Sequence, residues 1–164
     1  MSRERQDLLS RSALGVFRLN GQFLGVAEEL AHPAGLTAAW WQVLGAVLTE
    51  PLPVAGIARA MGITRQSVQR VADLLVERGL AEYRPNPAHR RAKLLAPTDE
   101  GRAANHRINP GHAAFADRLA EAFGEAELAQ AVQALERLSK VLDELGPPSP
   151  TLGYARAGGP PSEP

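Results

Sequence analysis

Residues 53–102 read PVAGIARAMGITRQSVQRVADLLVERGLAEYRPNPAHRRAKLLAPTDEGR, and this stretch decides the fold. Pro53 suits a first helical position, Ile57, Ala58 and Met61 share one helical face, and Gly62 follows where a left-handed stop is wanted. Ile63 fills a short turn, and Thr64 is a good N-cap for a second helix. In that helix Val68, Val71, Ala72 and Leu75 recur at i, i+3, i+4 and i+7, which makes one apolar stripe. Arg65, Gln66, Gln69, Arg70 and Asp73 lie on the other side, and Gly79 ends the helix. Two short helices joined by a tight turn form a helix-turn-helix, whose second helix can enter a DNA major groove.

The residues beyond the second helix narrow the fold further. Leu80 to Arg84 can be a short strand, and RPNPAHRRAK (residues 84–93) is a Pro- and Asn-rich turn studded with cations. Lys93 to Ala96 reads as the returning strand. Thr98 caps the next helix, with Asp99 and Glu100 in its first turn, where the helix dipole favours acids. A helix-turn-helix followed by a basic hairpin is a winged helix. The fold class is therefore mainly α with a small β wing (α+β).

Several pieces of this pattern together resemble the MarR (multiple-antibiotic-resistance regulator) family of bacterial transcription factors. They are Leu36-Thr37 ahead of Trp40 and Leu44, Ile57-Ala58 with Gly62, and Leu75-x-x-x-Gly79-Leu80. Pro85-x-Pro87-x-x-Arg90-Arg91 and Thr98-x-x-Gly101-Arg102 complete them, so the likeness covers residues 36–102. Two positions depart from the family pattern. His89 stands where the family usually has Asp before the two arginines, which leaves the wing turn without an acid to tether it to the recognition helix. Pro97 replaces the usual Leu before the capping Thr and stiffens the wing exit, because Pro cannot donate to a strand ladder. The resemblance implies a single domain over residues 1–145. In it the winged helix-turn-helix of 36–102 is flanked by dimerisation helices within 5–35 and 111–145. It further implies a homodimer that binds a pseudo-palindromic double-stranded DNA operator and represses transcription until a small-molecule effector releases it. The effector would enter a cleft between the dimerisation helices and the winged helix, where Trp41 is a candidate lining residue.

The DNA-facing candidates follow from side-chain chemistry. Gln66, Gln69 and Arg70 are placed for base edges, since Gln suits adenine and Arg suits guanine. Thr64, Arg65 and Ser67, at the helix start, can read bases or clamp phosphate. Arg91 at the wing turn should reach the minor groove, with Arg84, His89, Arg90 and Lys93 toward the backbone.

The flanks are read from periodicity. Residues 5–31 form a helix in which Ser12, Val16, Leu19, Phe23, Val26 and Leu30 step by four and three, the spacing of a seam against another helix. Gly15, Gly21 and Gly25 each lower its intrinsic helicity by about 1 kcal/mol relative to Ala, so packing must supply the stability. Thr37 caps a helix running to Glu50, with Trp40, Leu44 and Val47 on its core stripe and Trp41 and Leu48 turned toward a neighbouring element. The helix after the wing runs from Thr98 toward Phe123 past Asn109-Pro110-Gly111. In a last helix Leu128, Leu135 and Leu142 repeat by seven, as do Ala131, Leu138 and Leu145. From Gly146 onward, GPPSPTLGYARAGGPPSEP has neither periodicity nor core residues, and residues 146–164 read as a disordered tail.

Composition sets the remaining bounds. The formal net charge is zero, but it is unevenly divided. Residues 59–102 carry nine Lys or Arg against five Asp or Glu, whereas 111–145 carry three against seven. A local basic patch is what electrostatic docking on DNA requires, not a basic average. With no Cys, neither a disulfide framework nor a thiol redox sensor is available. The longest apolar run, Ala38 to Leu48, is broken by Gln42 and too short to span a bilayer, and the charged N-terminus is no signal peptide, so a cytoplasmic protein is expected. The histidines His32, His89, His106 and His112 include no pair at helical metal-ligand spacing, and no nucleophile or phosphate-loop motif appears. No enzyme activity, metal or cofactor is expected. A winged-helix module that meets an acidic protein partner is the alternative; a steep salt dependence together with preference for one duplex sequence would separate the two.

Overall fold

The computed structural model describes residues 2–146, so the expectation for 147–164 lies outside the described residues. The described residues divide into two compact units that part between Phe115 and Ala116. In the first unit, α1 (Ser2–Ala31) begins at Ser2 rather than at residue 5, and Ala31 is its one buried residue. A 3₁₀ turn over His32–Ala34 ends on Gly35, whose φ of 74° is left-handed. The next helix, α2 (Ala38–Ala46), starts with two satisfied donors. Thr37 Oγ1 accepts from the Trp40 N–H at 3.2 Å, and Glu28 of α1 accepts from the Ala38 N–H at 2.7 Å.

Two expectations for the segment after α2 are corrected. Helix α2 stops at Ala46 rather than reaching Glu50: the N–H groups of Val47 and Leu48 bond only three residues back, tightening the last turn. Pro51 also disfavours a helical Glu50. Pro53 is the N-cap, not the first helical residue; at φ −71° and ψ 154° it is extended. It belongs to a two-residue strand, β1 (Leu52–Pro53), which the sequence reading missed. The core stripe of α2 is also revised. Val43, Leu44 and Val47 are buried, while Trp40 and Trp41 are both half-buried and both pack against the core.

The helix-turn-helix forms as expected, from α3 (Val54–Met61) and α4 (Arg65–Glu77). Gly62, at φ 66°, closes α3, and the Ile63 N–H reaches back to the Ala58 carbonyl at 3.1 Å. Val68, Val71, Ala72 and Leu75 are the buried residues of α4, as their spacing requires. Gly79, at φ 71°, turns the chain into β2 (Ala81–Arg84), which pairs antiparallel with β3 (Leu94–Pro97). The sheet order is β1-β3-β2, and β1 covers only Leu94 and Leu95 of the central strand. Pro97 thus sits beyond β1, opposite Ala81, where its missing N–H breaks no ladder on that side. Leu44, Ile57, Val68, Leu75, Leu95 and Ile108 are fully buried and join the helices to the sheet in one core. The fold is mainly α-helical with a small antiparallel sheet, a winged helix.

Helix α5 (Asp99–Phe123) carries Pro110 inside it. Its first turn is held by Thr98, whose hydroxyl donates to the Gly79 carbonyl at 2.6 Å and accepts from the Gly101 N–H at 3.1 Å. In the second unit, Gly124 (φ 98°) leads into α6 (Glu125–Leu145), none of whose residues is buried.

Gly101 packs so closely that a Cβ there would fall on the Leu80 carbonyl and meet Leu44 Cδ1 at 3.2 Å. On helix propensity alone Gly101→Ala should stabilise by about 1 kcal/mol. The steric conflict reverses that sign, so a net loss of about 1–3 kcal/mol is expected in denaturant unfolding. An unchanged or raised midpoint would show that the contact relaxes freely.

Candidate nucleic-acid interface

The site is built where α4 and the wing approach one another. Thr64 begins it: its Oγ1 accepts from the Ser67 N–H at 3.1 Å and donates to Ser67 Oγ at 2.9 Å. Both hydroxyls are thereby engaged in holding the first turn of α4. That turn contains no acid, so its free N–H groups and Arg65 present unopposed positive character.

Two open grooves share Gln66 and Gln69 among their lining residues. One, of about 610 Å³, runs between helix and wing and brings Arg65, Gln66 and Gln69 together with Tyr83, Arg91 and Lys93. Pro53, Val54 and Ala55 floor it. The other, about 570 Å³, follows the outer face of α4 past Gln66, Ser67, Gln69, Arg70 and Asp73. Eight of the eleven candidate DNA-facing residues thus belong to the grooves; Arg65, Gln66, Ser67, Gln69, Arg70, Arg91 and Lys93 line them directly, and Thr64 joins them through Ser67. The remaining three sit apart. Arg84 is drawn to Glu82 at 2.7 Å, with both side chains half exposed, a pair worth little energetically but enough to orient the guanidinium. His89 and Arg90 lie exposed in the wing turn, where the Asn86 carbonyl accepts from the His89 N–H and the His89 carbonyl from the Ala92 N–H, each at 3.3 Å.

Sequence reading missed Tyr83 and gave Asp73 no role. The Tyr83 hydroxyl donates to Asp73 Oδ1 at 2.6 Å, and the Gln69 side-chain amide donates to the same oxygen at 2.9 Å and to the Tyr83 hydroxyl at 2.8 Å. Helix α4 therefore carries an acid that ties it to the wing strand β2, while the wing turn itself has His89. Only the i, i+4 spacing of Gln69 and Asp73 was visible beforehand; Tyr83 comes from a separate strand. Burial, then the hydrogen bond and negative charge of Asp73, push the Tyr83 phenol up to about 12, while the Gln69 amide opposes them.

At the far end of α4, the Arg78 guanidinium lies 5.4 Å from the centroid of the Trp40 ring. Trp41, the candidate lining residue of an effector cleft, donates its indole N–H to Asn105 Oδ1 at 3.0 Å. The His112 ring meets it edge-on, with centroids 5.8 Å apart.

Comparison with known proteins finds both similar sequences and similar folds. A sequence profile of the MarR family matches residues 34–92. An uncharacterized protein of Mycobacterium tuberculosis is 40% identical over 132 residues, covering 80% of this chain and 92% of its own. Among solved structures, the transcriptional repressor CouR bound to a 23-mer DNA duplex superposes with a TM-score of 0.67 at 28% identity, over 76% of this chain and 89% of CouR. CouR from Rhodococcus jostii RHA1 bound to p-coumaroyl-CoA gives 0.62 at 28% identity, over 75% and 87%.

The raised Tyr83 group makes a direct test. Its phenolate should form near pH 12 in ultraviolet titration, against an ordinary value of 10.0. The neutral phenol favours the fold, so this contribution is complete below pH 10 and is lost as pH rises from 10 toward 12. Asp73→Asn should lower the midpoint but leave it above 10, because burial is the largest cause. A midpoint unmoved by that substitution would show that the carboxylate does not hold the phenol.

Proposed function

The chain belongs to the MarR family of DNA-binding transcription regulators, and on that footing we propose that it acts as a homodimeric repressor released from a pseudo-palindromic operator by a small-molecule effector. The observation that carries the DNA-contacting part is the groove in which Arg65, Gln66 and Gln69 of α4 face Arg91 and Lys93 of the wing. Helix residues at that position suit base edges in the major groove, while wing cations suit the adjoining backbone and minor groove. Gln66, Gln69 and Arg70 read bases, Thr64, Arg65 and Ser67 fix the helix start on the strand, and Arg84, His89, Arg90, Arg91 and Lys93 serve the wing.

Two helices support the dimer, each within its own unit. On α1, Val16, Leu19 and Phe23 of the seam are exposed, and nothing lies within 4 Å of a Cβ built at Gly15, Gly21 or Gly25. On α6, Leu135, Leu138, Leu142 and Leu145 are exposed. So many large apolar side chains on long helices are what a second copy would cover. In the resulting dimer, helices within 5–35 and 111–145 form the interface, and two recognition helices lie about 34–36 Å apart, one turn of DNA. The effector step is supported by CouR, whose p-coumaroyl-CoA complex is a solved relative, and Trp41 is the candidate contact.

Selection of bound duplexes from random DNA tests the whole reading. It should return inverted half-sites about one turn apart; sequences no different from the starting pool would favour a protein-interaction module instead. Arg70→Ala should then cost about 1–3 kcal/mol and relax specificity at one base position, whereas Arg91→Ala should weaken binding on many sequences, most where A·T content narrows the minor groove. Equal losses for Arg70→Ala on selected and random duplexes would rule out base reading there. Leu135→Asp with Leu138→Asp should dissociate the dimer or unfold it, and an intact folded dimer by sedimentation would move the interface elsewhere.

A further inference from the structure

The cluster on the wing side of α4 has a hydrogen-bonding polarity that bears on which base the helix reads, an inference that rests on the DNA-contacting role of α4 given above. Asp73, as a carboxylate, only accepts. The Gln69 group 2.9 Å from it must therefore be the amide nitrogen, and a carbonyl turned toward the carboxylate would be repelled. The same nitrogen also donates to the Tyr83 hydroxyl at 2.8 Å, and that hydroxyl spends its own proton on Asp73 at 2.6 Å. Each of these donors is aimed at another member of the cluster. The oxygen left to meet a ligand is Gln69 Oε1, on a residue that lines both grooves.

An unconstrained Gln can grip adenine with two bonds, its N–H to N7 and its oxygen from the N6 amino group. Here the orientation is set in advance: turning the amide over would bring its carbonyl against the Asp73 carboxylate and take from the Tyr83 hydroxyl the donor it accepts from. We propose that Gln69 reads DNA as a hydrogen-bond acceptor, held in that polarity by Asp73 and Tyr83. The base it faces then carries an exocyclic amino group, adenine or cytosine. Guanine and thymine, which present keto oxygens in the major groove, are rejected there because two acceptors meet. Tyr83 and Asp73 are positioning residues for specificity: neither needs to touch the base.

The experiment uses the full-length protein and the duplex recovered from random DNA by the wild type. Comparing wild type with Gln69→Ala across all single-base changes locates the position that Gln69 reads. The wild type should prefer adenine or cytosine on one strand there, by roughly two- to tenfold, the worth of one hydrogen bond. An analogue that lacks only the amino group should cost the wild type the same factor and Gln69→Ala nothing. A 7-deaza purine at an adenine position should cost neither protein anything. Asp73→Ala with Tyr83→Phe should erase the amino preference, because the freed amide can turn its nitrogen toward a keto oxygen. The base analogues are read with the unaltered protein, so the test survives even if the double variant folds poorly. A keto base at the mapped position, a loss on removing N7, no position sensitive to Gln69, or a folded double variant with unchanged preference would each overturn the proposal. If Gln66→Ala and Arg70→Ala also leave the recovered sequences and affinities as they are, the fault lies deeper, with α4 as the reading element.

Discussion

The backbone of Leu80 is the joint on which this winged helix depends. Its N–H closes the end of α4 on the Leu75 carbonyl at 2.9 Å, and its own carbonyl accepts from the Thr98 N–H at 3.1 Å. Gly101 presses its Cα face against that carbonyl, and the Thr98 hydroxyl ties Gly79 to the first turn of α5. Helix α4, β2 and α5 are thus tied to one another mostly through main-chain groups, which do not change rotamer, with the Thr98 hydroxyl as the side-chain link. The buried side chains of Leu44, Leu75 and Leu95 pack in the core on the inner side of this joint, while its Thr98–Gly79 bond stays exposed.

That rigidity gives the charged surface its meaning. The winged segment is basic and the segment from 111 to 145 acidic, though the chain as a whole is neutral. Cations on a fixed frame add up in one direction, whereas on a loose chain their directions average out; in both cases salt screens exposed charges beyond about 10 Å at about 0.1 M. Asp73, the acid of α4 that lines a groove, accepts from Tyr83 and Gln69 rather than facing the groove alone.

Much of this was legible in the sequence because it is local. The apolar stripe of α4, the left-handed glycines at 62 and 79, and the caps at Thr37, Thr64 and Thr98 depend on neighbours within one turn. What escaped depends on distant partners. Strand β1 exists only because Leu94 and Leu95 lie beside Leu52 and Pro53, and no two-residue run announces itself. The length of α2 was overread because its apolar pattern continues through Val47 and Leu48 into a turn. Tyr83 has no local signal to mark it within the strand; its bonds appear only once β2 is laid against α4. The base-reading assignments were chemically sound for free side chains, yet Gln69 is not a free side chain.

The two tryptophans, the only ones in the chain, are neighbours on α2 and look in different directions. Trp40 rests under Arg78 at the end of α4, whereas Trp41 is bonded to Asn105 and edged by His112 on α5. Indole emission depends on local polarity and on nearby quenching groups. The intrinsic fluorescence of this protein is therefore a two-channel gauge built into a single helix. One channel registers displacement of α4 through loss of its cation. The other registers movement of α5 through its amide and imidazole. Replacing either indole by Phe would isolate the other, so that motions on opposite sides of α2 could be timed separately without attaching a dye.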